Sequence, residues 1–339
     1  MNLQDVKKLL GQLYRRQFLR RGPRIVAIGG GTGLPVLLRG LKEYTENLTA
    51  IVTVADDGGS SGRLRGEFGI LPPGDIRNCL VALAETETLM DKLFCYRFGQ
   101  GAGLAGHSLG NLLITALVDI LGDFQTAIKE VSKVLKVRGQ VLPSTLRQVV
   151  LHAELEDGTT VSGESKISQS RAPLKRVYIT PGECAPVPEA LKAIGQADLI
   201  LLGPGSLFTS VLPNLLVQEI AAAVKAAPAV KCYICNIMTQ PGETTGFKAS
   251  DHLRALYEHV GPGWIDYIVV NTRQVTPALR EKYAREGAAL VVVDDHNLAR
   301  MGVRVIKADL LEEALRETEP VRHDPGKLAR TVIRLVCKR

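Results

Sequence analysis

Past Pro23 the apolar residues fall into short β-branched blocks that alternate with longer stretches of three-to-four spacing. Blocks of the first kind predict buried strands at Arg24 to Ile28, Leu48 to Val54, Leu199 to Leu202, Val230 to Ile237, Tyr267 to Asn271 and Leu290 to Val293. Stretches of the second kind predict helices over Leu34 to Tyr44, Asp75 to Glu85, Ser108 to Leu121, Phe124 to Leu135, Leu212 to Ala226 and Lys248 to His259. Such alternation implies an α/β fold with a mostly parallel sheet covered by helices. One interval breaks the rhythm. Between about residues 146 and 180, Gln148 to Glu156 and Thr159 to Ile167 flank Asp157-Gly158, a pair that favours a type I′ turn, so a small antiparallel hairpin insertion is expected there.

The first 22 residues are different in kind. Val6, Leu9, Leu10, Leu13 and Tyr14 recur at helical spacing and the segment stops before Gly22-Pro23, which predicts an amphipathic helix. Of the net charge of +7, six units lie in residues 1 to 24, where Lys7, Lys8, Arg15, Arg16, Arg20, Arg21 and Arg24 meet only Asp5. A nucleic-acid enzyme spreads its basic footprint over a folded groove, so no nucleic-acid partner is expected. The basic helix either packs on its own core or a second subunit, which makes a homodimer worth testing, or touches a membrane surface or an acidic partner.

The rest of the composition narrows the class. With 45% hydrophobic and 23% charged residues, wholesale disorder, collagen and coiled coil are excluded. The organisation read from 339 residues is the helix 1–22 followed by one α/β domain over 23–339. No apolar run reaches the roughly 20 residues of a spanning helix and no signal-peptide core is visible, so a cytoplasmic location is expected. Six irregularly spaced cysteines suit a reducing compartment. Cys232 and Cys235, three apart within an expected strand, point to opposite faces and have no second pair, so they predict no zinc site.

The polar chemistry collects in strand-to-helix loops. Gly29-Gly30-Gly31-Thr32-Gly33 puts bare amides at a helix N-terminus, a place for a phosphate or a tight structural turn. It is neither a strict G-x-G-x-x-G, because Leu34 takes the last position, nor a Walker A loop. After the second strand come Asp56, Asp57, Ser60, Ser61, Arg63 and Arg65, where a carboxylate can serve a ribose hydroxyl, a cation or a catalytic proton and the arginines can grip phosphates. Asp75 reads as the N-cap of a helix carrying Arg77 and Asn78, which leaves capping and function as equal explanations. His107, Ser108 and Asn111 open another helix. Gly203-Pro204-Gly205-Ser206 forms a second glycine-rich loop with the same anion-binding logic. Asn236 to Thr244, including Thr239, forms a further site-shaped loop, and Arg322-His323 precede a helix capped by Asp324, where they can reach a ligand or decorate the surface.

In this order and combination, the motifs resemble the gluconeogenesis factor (YvcK-type) family, which shares its fold with 2-phospho-L-lactate transferase, over about residues 23–339. Gly-His-Ser-Leu-Gly-Asn at 106–111 and Cys-Asn-Ile-Met-Thr-Gln-Pro-Gly-Glu-Thr at 235–244 match the regulatory side of that superfamily better. The resemblance implies a Rossmann-like three-layer sandwich. It also implies a UDP-sugar binder, with UDP-N-acetylglucosamine favoured, that adjusts carbon flow into wall precursors and supports cell shape on gluconeogenic carbon sources. The transferase branch implies instead a guanosine diphosphate donor, with Mg²⁺ and with Asp56 or Asp57 holding metal or activating the acceptor. No required cofactor and no metal site are assigned, and Mg²⁺ stays open because carboxylates at a strand end serve riboses as readily as cations. The resemblance further places Gly31, Thr32 and Gly33 against the diphosphate and Asp56 and Asp57 at the sugar or ribose end. Asn111 and Gly205-Ser206 would face them across the cleft, with Tyr283 and Arg322 closing over the ligand. Pro325 stands where some relatives carry threonine, so that position has no hydroxyl to phosphorylate. A scaffold that recruits a wall-synthesis protein through its basic helix is the third alternative.

Overall fold

The computed structural model describes residues 17–85 and 89–336. The expected basic helix therefore lies, for residues 1–16, outside the described residues. The described chain builds a seven-stranded sheet in the order β10-β9-β8-β7-β1-β2-β3 and a separate three-stranded sheet, β5-β4-β6. The strands are β1 Ile25–Gly29, β2 Leu48–Val52, β3 Gln140–Pro143, β4 Val150–Leu155, β5 Thr160–Ser162, β6 Leu174–Thr180, β7 Leu199–Leu202, β8 Val230–Ile234, β9 Tyr267–Asn271 and β10 Arg304–Ala308. Every pairing in the large sheet is parallel. The β1, β2 and β7 strands are buried at every position, as a sheet covered by helices on both faces requires.

The order of strands fixes where a ligand can sit. From β1 the chain runs out to β2 and β3 on one side and later to β7 through β10 on the other, so the direction reverses between β1 and β7. In open α/β sheets the crevice beyond the carboxyl ends at such a switch point is the ligand position. The helix Gly33–Leu41 leaves β1 and packs against the last helix, Pro325–Ile333, so closely that a Cβ on Gly40 would lie 2.0 Å from the Pro325 carbonyl oxygen. The segment just before Pro325 brings Arg322 and His323 to the same space as Thr32 and Gly33, which follow β1.

Four expectations need correction. Leu290 to Val293 is not a strand: Leu290 and Val292 make only isolated bridges, to Met238 and Lys248, and β10 takes the place beside β9. β10 escapes a hydrophobic reading because it is an edge strand carrying Arg304 and Lys307, partly exposed throughout. The helix expected over Leu212 to Ala226 breaks at the extended Val217 into Leu212–Leu215, preceded by a π-turn at Leu207–Val211, and Gln218–Ala226, bent by 80°. The hairpin is not closed by a type I′ turn: the Leu155 amide bonds the Thr159 carbonyl, the Gly158 amide bonds that of Leu155, and Gly158 alone takes a positive φ (84°). Its second arm is also shorter than expected. β5 ends at Ser162 and the chain turns at Gly163 into the helix Glu164–Gln169, so the insertion is completed by β6. No single helix among the described residues is long and apolar enough to cross a membrane.

Candidate functional site

Two glycine-rich loops meet at the switch point. In the first, Gly31 takes a positive φ of 63°, which only glycine adopts freely, and the helix starts at Gly33. In the second, Gly203 takes φ of 82° and the Ser206 hydroxyl caps the following turn by accepting from the Thr209 amide at 3.2 Å. The loops touch main chain to main chain: a Cβ on Gly33 would stand 2.5 Å from the Pro204 carbonyl oxygen and one on Gly205 3.3 Å from that of Gly30. Above this floor opens a cleft of about 320 Å³, lined among others by Thr32, Gly33, Gly205, Ser206, Asn236, Thr239, Tyr283, Arg322 and His323.

The walls of the cleft are braced by their own hydrogen bonds. The Tyr283 hydroxyl accepts from the Val321 amide at 2.8 Å, pinning the segment that carries Arg322. Thr239 exchanges bonds with the Ala289 backbone, at 2.7 and 2.9 Å. Asn236 donates to Gln240 at 3.1 Å, which leaves its buried Oδ1 without a partner, and the Nε2 of His323 is likewise buried and unpartnered. His323 is 6% exposed, and burial pushes its imidazole down to about 4 against a weaker upward effect of the Cys235 backbone, so it is neutral near pH 7. Two orphaned polar atoms on one cleft are where a ligand regains hydrogen bonds.

The remaining candidates gather on the other side of the first loop. Asp75 is not an N-cap. Pro73 holds that position, and the Asp75 carboxylate in the first helical turn accepts from the Gly31 amide at 2.6 Å. Burial, with Asp56 adding, pushes Asp75 up to about 6. Asp56 is raised chiefly by burial, opposed by the Gly58 amide, which donates to it at 2.9 Å, and by Ser61. Asp57 accepts from the Ser165 amide at 2.8 Å and so ties the β2 loop to the insertion. The Ser61 hydroxyl accepts from Gly74 at 3.1 Å. Ser60 bonds His107 Nδ1 at 3.0 Å and accepts from Asn111 Nδ2 at 3.1 Å, while Ser108 caps the Asn111 helix. Asn111 thus stands beside the helix that follows Asp56 and Asp57 rather than across the cleft from them. The two guanidinium groups expected to grip phosphates are engaged by protein: Arg63 donates to the Ala105 carbonyl and Arg65 to that of Val149. Arg77 donates to Asn78 Oδ1.

Two further carboxylates, neither singled out by the sequence, belong to this picture. Glu164, at the start of the insertion helix, is pushed up to about 7 by burial and by Asp56 and Asp75. Reading Thr159 to Ile167 as a strand conceals it. Glu243, 3% exposed and raised by burial, accepts a short hydrogen bond from the Ser206 hydroxyl. It lies in the Asn236 to Thr244 loop, so position signals it, but only the fold shows that it faces Ser206. Among the described residues no group of three or more His, Cys, Asp or Glu is arranged to hold a metal. One oxygen each of Asp56, Asp57 and Asp75 is spent on a backbone amide.

A parallel α/β sheet with a switch-point cleft between two glycine-rich loops defines a Rossmann-like α/β protein. The model of the 2-phospho-L-lactate transferase CofD family matches residues 25–311. The gluconeogenesis factor of Bacillus subtilis is 52% identical over 314 residues, 93% of this chain and 98% of that one. That of Halalkalibacterium halodurans is 52% identical over 91% of this chain and 95% of its own. A crystal structure of a Bacillus halodurans protein agrees with a TM-score of 0.89 at 52% identity, over 92% of this chain and 100% of that one. The chain belongs to the gluconeogenesis factor family of CofD-like proteins.

Proposed function

We propose that this protein is a gluconeogenesis factor that binds a nucleotide sugar, of which UDP-N-acetylglucosamine is the type, and regulates the supply of wall precursors and cell shape on gluconeogenic carbon sources. The observation that carries the binding is the cleft itself. Main-chain amides at two helix starts offer a place for a diphosphate, Arg322 stands exposed at the rim to pair with it, and the unpartnered Asn236 Oδ1 and His323 Nε2 offer hydrogen bonds to the neutral part of the ligand. The relatives' names support the gluconeogenic part of this role. Calorimetric titration with UDP-N-acetylglucosamine, in parallel with GDP plus Mg²⁺, tests the reading. Micromolar binding of the UDP-sugar without turnover is expected, and heat from neither nucleotide would sink it.

The second reading is a transferase acting on a guanosine diphosphate donor. It draws on the family model and on the carboxyl groups Asp75 and Glu164, raised to about 6 and about 7, since a carboxyl group poised near neutrality suits proton transfer from an acceptor hydroxyl. Selective binding of GDP with release of product would establish it over the regulator.

A further inference from the structure

Residues 164–171 lie like a strap across the carboxyl ends of the sheet, with one contact to each loop in turn. The Ser165 amide donates to Asp57 in the loop after β2 at 2.8 Å, and Glu164 bonds Thr209 in the loop after β7. The Ser170 carbonyl presses on Gly242 after β8, where a Cβ would stand 2.0 Å from it, and Arg171 donates to the Glu286 carbonyl, on the cleft wall, at 3.3 Å. Between them the Ser168 hydroxyl stands 3.2 Å from Glu164 Oε1 and 3.5 Å from Glu243 Oε1, so its one proton is shared between the two carboxyl groups, and Glu243 is the acceptor of Ser206, which lines the cleft.

Glu243 is therefore shared by the cleft and the strap. A serine has one proton to give. When a phosphate oxygen in the cleft takes the Ser206 proton, the buried Glu243 carboxylate loses its short donor. It is left with the Phe208 amide and the Ser168 hydroxyl. A buried carboxylate that loses a donor is costly, and the 3.5 Å contact to Ser168 is the one with room to shorten, the serine proton turning from Glu164 at 3.2 Å to Glu243. We propose that Glu243 is a positioning residue that couples the cleft to the strap: an anionic ligand that engages Ser206 shifts Glu243 onto Ser168 and draws residues 164–171 down over the sheet. The proposal rests on the nucleotide-binding reading of the cleft and adds the route by which occupancy leaves it. The coupling has to be reciprocal, so a change at Ser168 is felt as a change in affinity.

Amide hydrogen exchange over residues 164–171, with calorimetry alongside, tests this in the full chain and in Ser168→Ala, Ser206→Ala and the double variant. Ser168 is exposed, so its truncation leaves folding intact. UDP-N-acetylglucosamine is expected to slow exchange in the strap by about five-fold or more, and Ser168→Ala to remove that slowing and weaken binding by the same factor. In the ligand-free protein, Ser206→Ala is expected to slow the same amides and the double variant to leave them at the Ser168→Ala rate. Ligand that binds while the strap amides stay unchanged overturns the coupling and leaves the binding function standing. Absence of binding overturns the reading of the cleft and the ligand's part in this proposal, whereas an unchanged strap in ligand-free Ser206→Ala overturns the relay itself.

Discussion

The carboxylate of Asp75 accepts the backbone amide of Gly31 at 2.6 Å, so the first glycine-rich loop already holds a negatively charged oxygen behind it while Thr32 and Gly33 face the cleft. An internal carboxylate holds Gly31 in its left-handed conformation and fixes the loop before any ligand arrives. Asp75→Asn keeps an acceptor oxygen at this position and is expected to bind a nucleotide as the parent does. Asp75→Ala strands the buried amide and is expected to cost about 1–3 kcal/mol of stability and weaken binding together. Thermal melts and titrations of the two variants check the contrast, and equal behaviour of both would show that the bond does not matter.

Glu164 carries the clearest pH signature. Its folded value of about 7 lies above the ordinary 4.5, so the folded state binds the proton more tightly, and stability falls as pH rises from about 4.5 through 7. Glu164→Gln removes the buried charge. It is expected to raise the melting point at pH 8, with a gain on the order of 2 kcal/mol, and to change little at pH 5. His323 acts in the opposite sense. Its value of about 4 lies below the ordinary 6.5, so its contribution is present above pH 6.5 and is lost as pH falls to 4. Melts of His323→Gln across this range are expected to lose the acid-side decline, and an unaltered profile would show that the imidazole does not titrate there.

Arg322 is an exposed cation among the residues that line the cleft. A charge-assisted bond of about 1.5–3 kcal/mol corresponds to roughly ten- to hundred-fold in affinity, which is the weakening expected of Arg322→Ala at an unchanged melting point. Calorimetry reads the first quantity and a melt the second.

Gly40 tests the link between fold and site. A methyl group there would meet the Pro325 carbonyl at 2.0 Å, so Gly40→Ala is expected to separate the two helices at a cost of about 1–3 kcal/mol and to weaken ligand binding through displacement of the Arg322 segment. A destabilised variant that binds as tightly as the parent would break the proposed connection between that helix pair and the rim.

The central strands β1, β2, β7, β8 and β9 are legible because burial on both faces writes a continuous apolar run into the sequence. The two edges, β3 and β10, are not. β3 is four residues ending in Pro143, and β10 alternates charge with partly exposed apolar residues, so neither has the composition of a core strand. The glycine loops announce themselves through residue type, but the direction of each side chain does not. Asp75 carries every mark of a cap, yet in the fold it serves a loop 44 residues away, and Arg63 and Arg65 look like phosphate ligands although they close distant backbone carbonyls. Long-range partners of this kind leave no local pattern. Glu243 shows the same limit from the other side, since its loop is visible in the sequence and its pairing with Ser206 is not.

The main-chain contact between the two glycine loops has an evolutionary corollary. A floor made of peptide groups, with no room for a Cβ on Gly33, offers substitution almost nothing to act upon. On the proposed nucleotide-sugar reading, this floor would recognise what every diphosphate has in common. On the same reading, selectivity for the rest of the ligand falls to Asn236, Thr239, Tyr283 and Arg322, on three separate stretches of chain outside the floor.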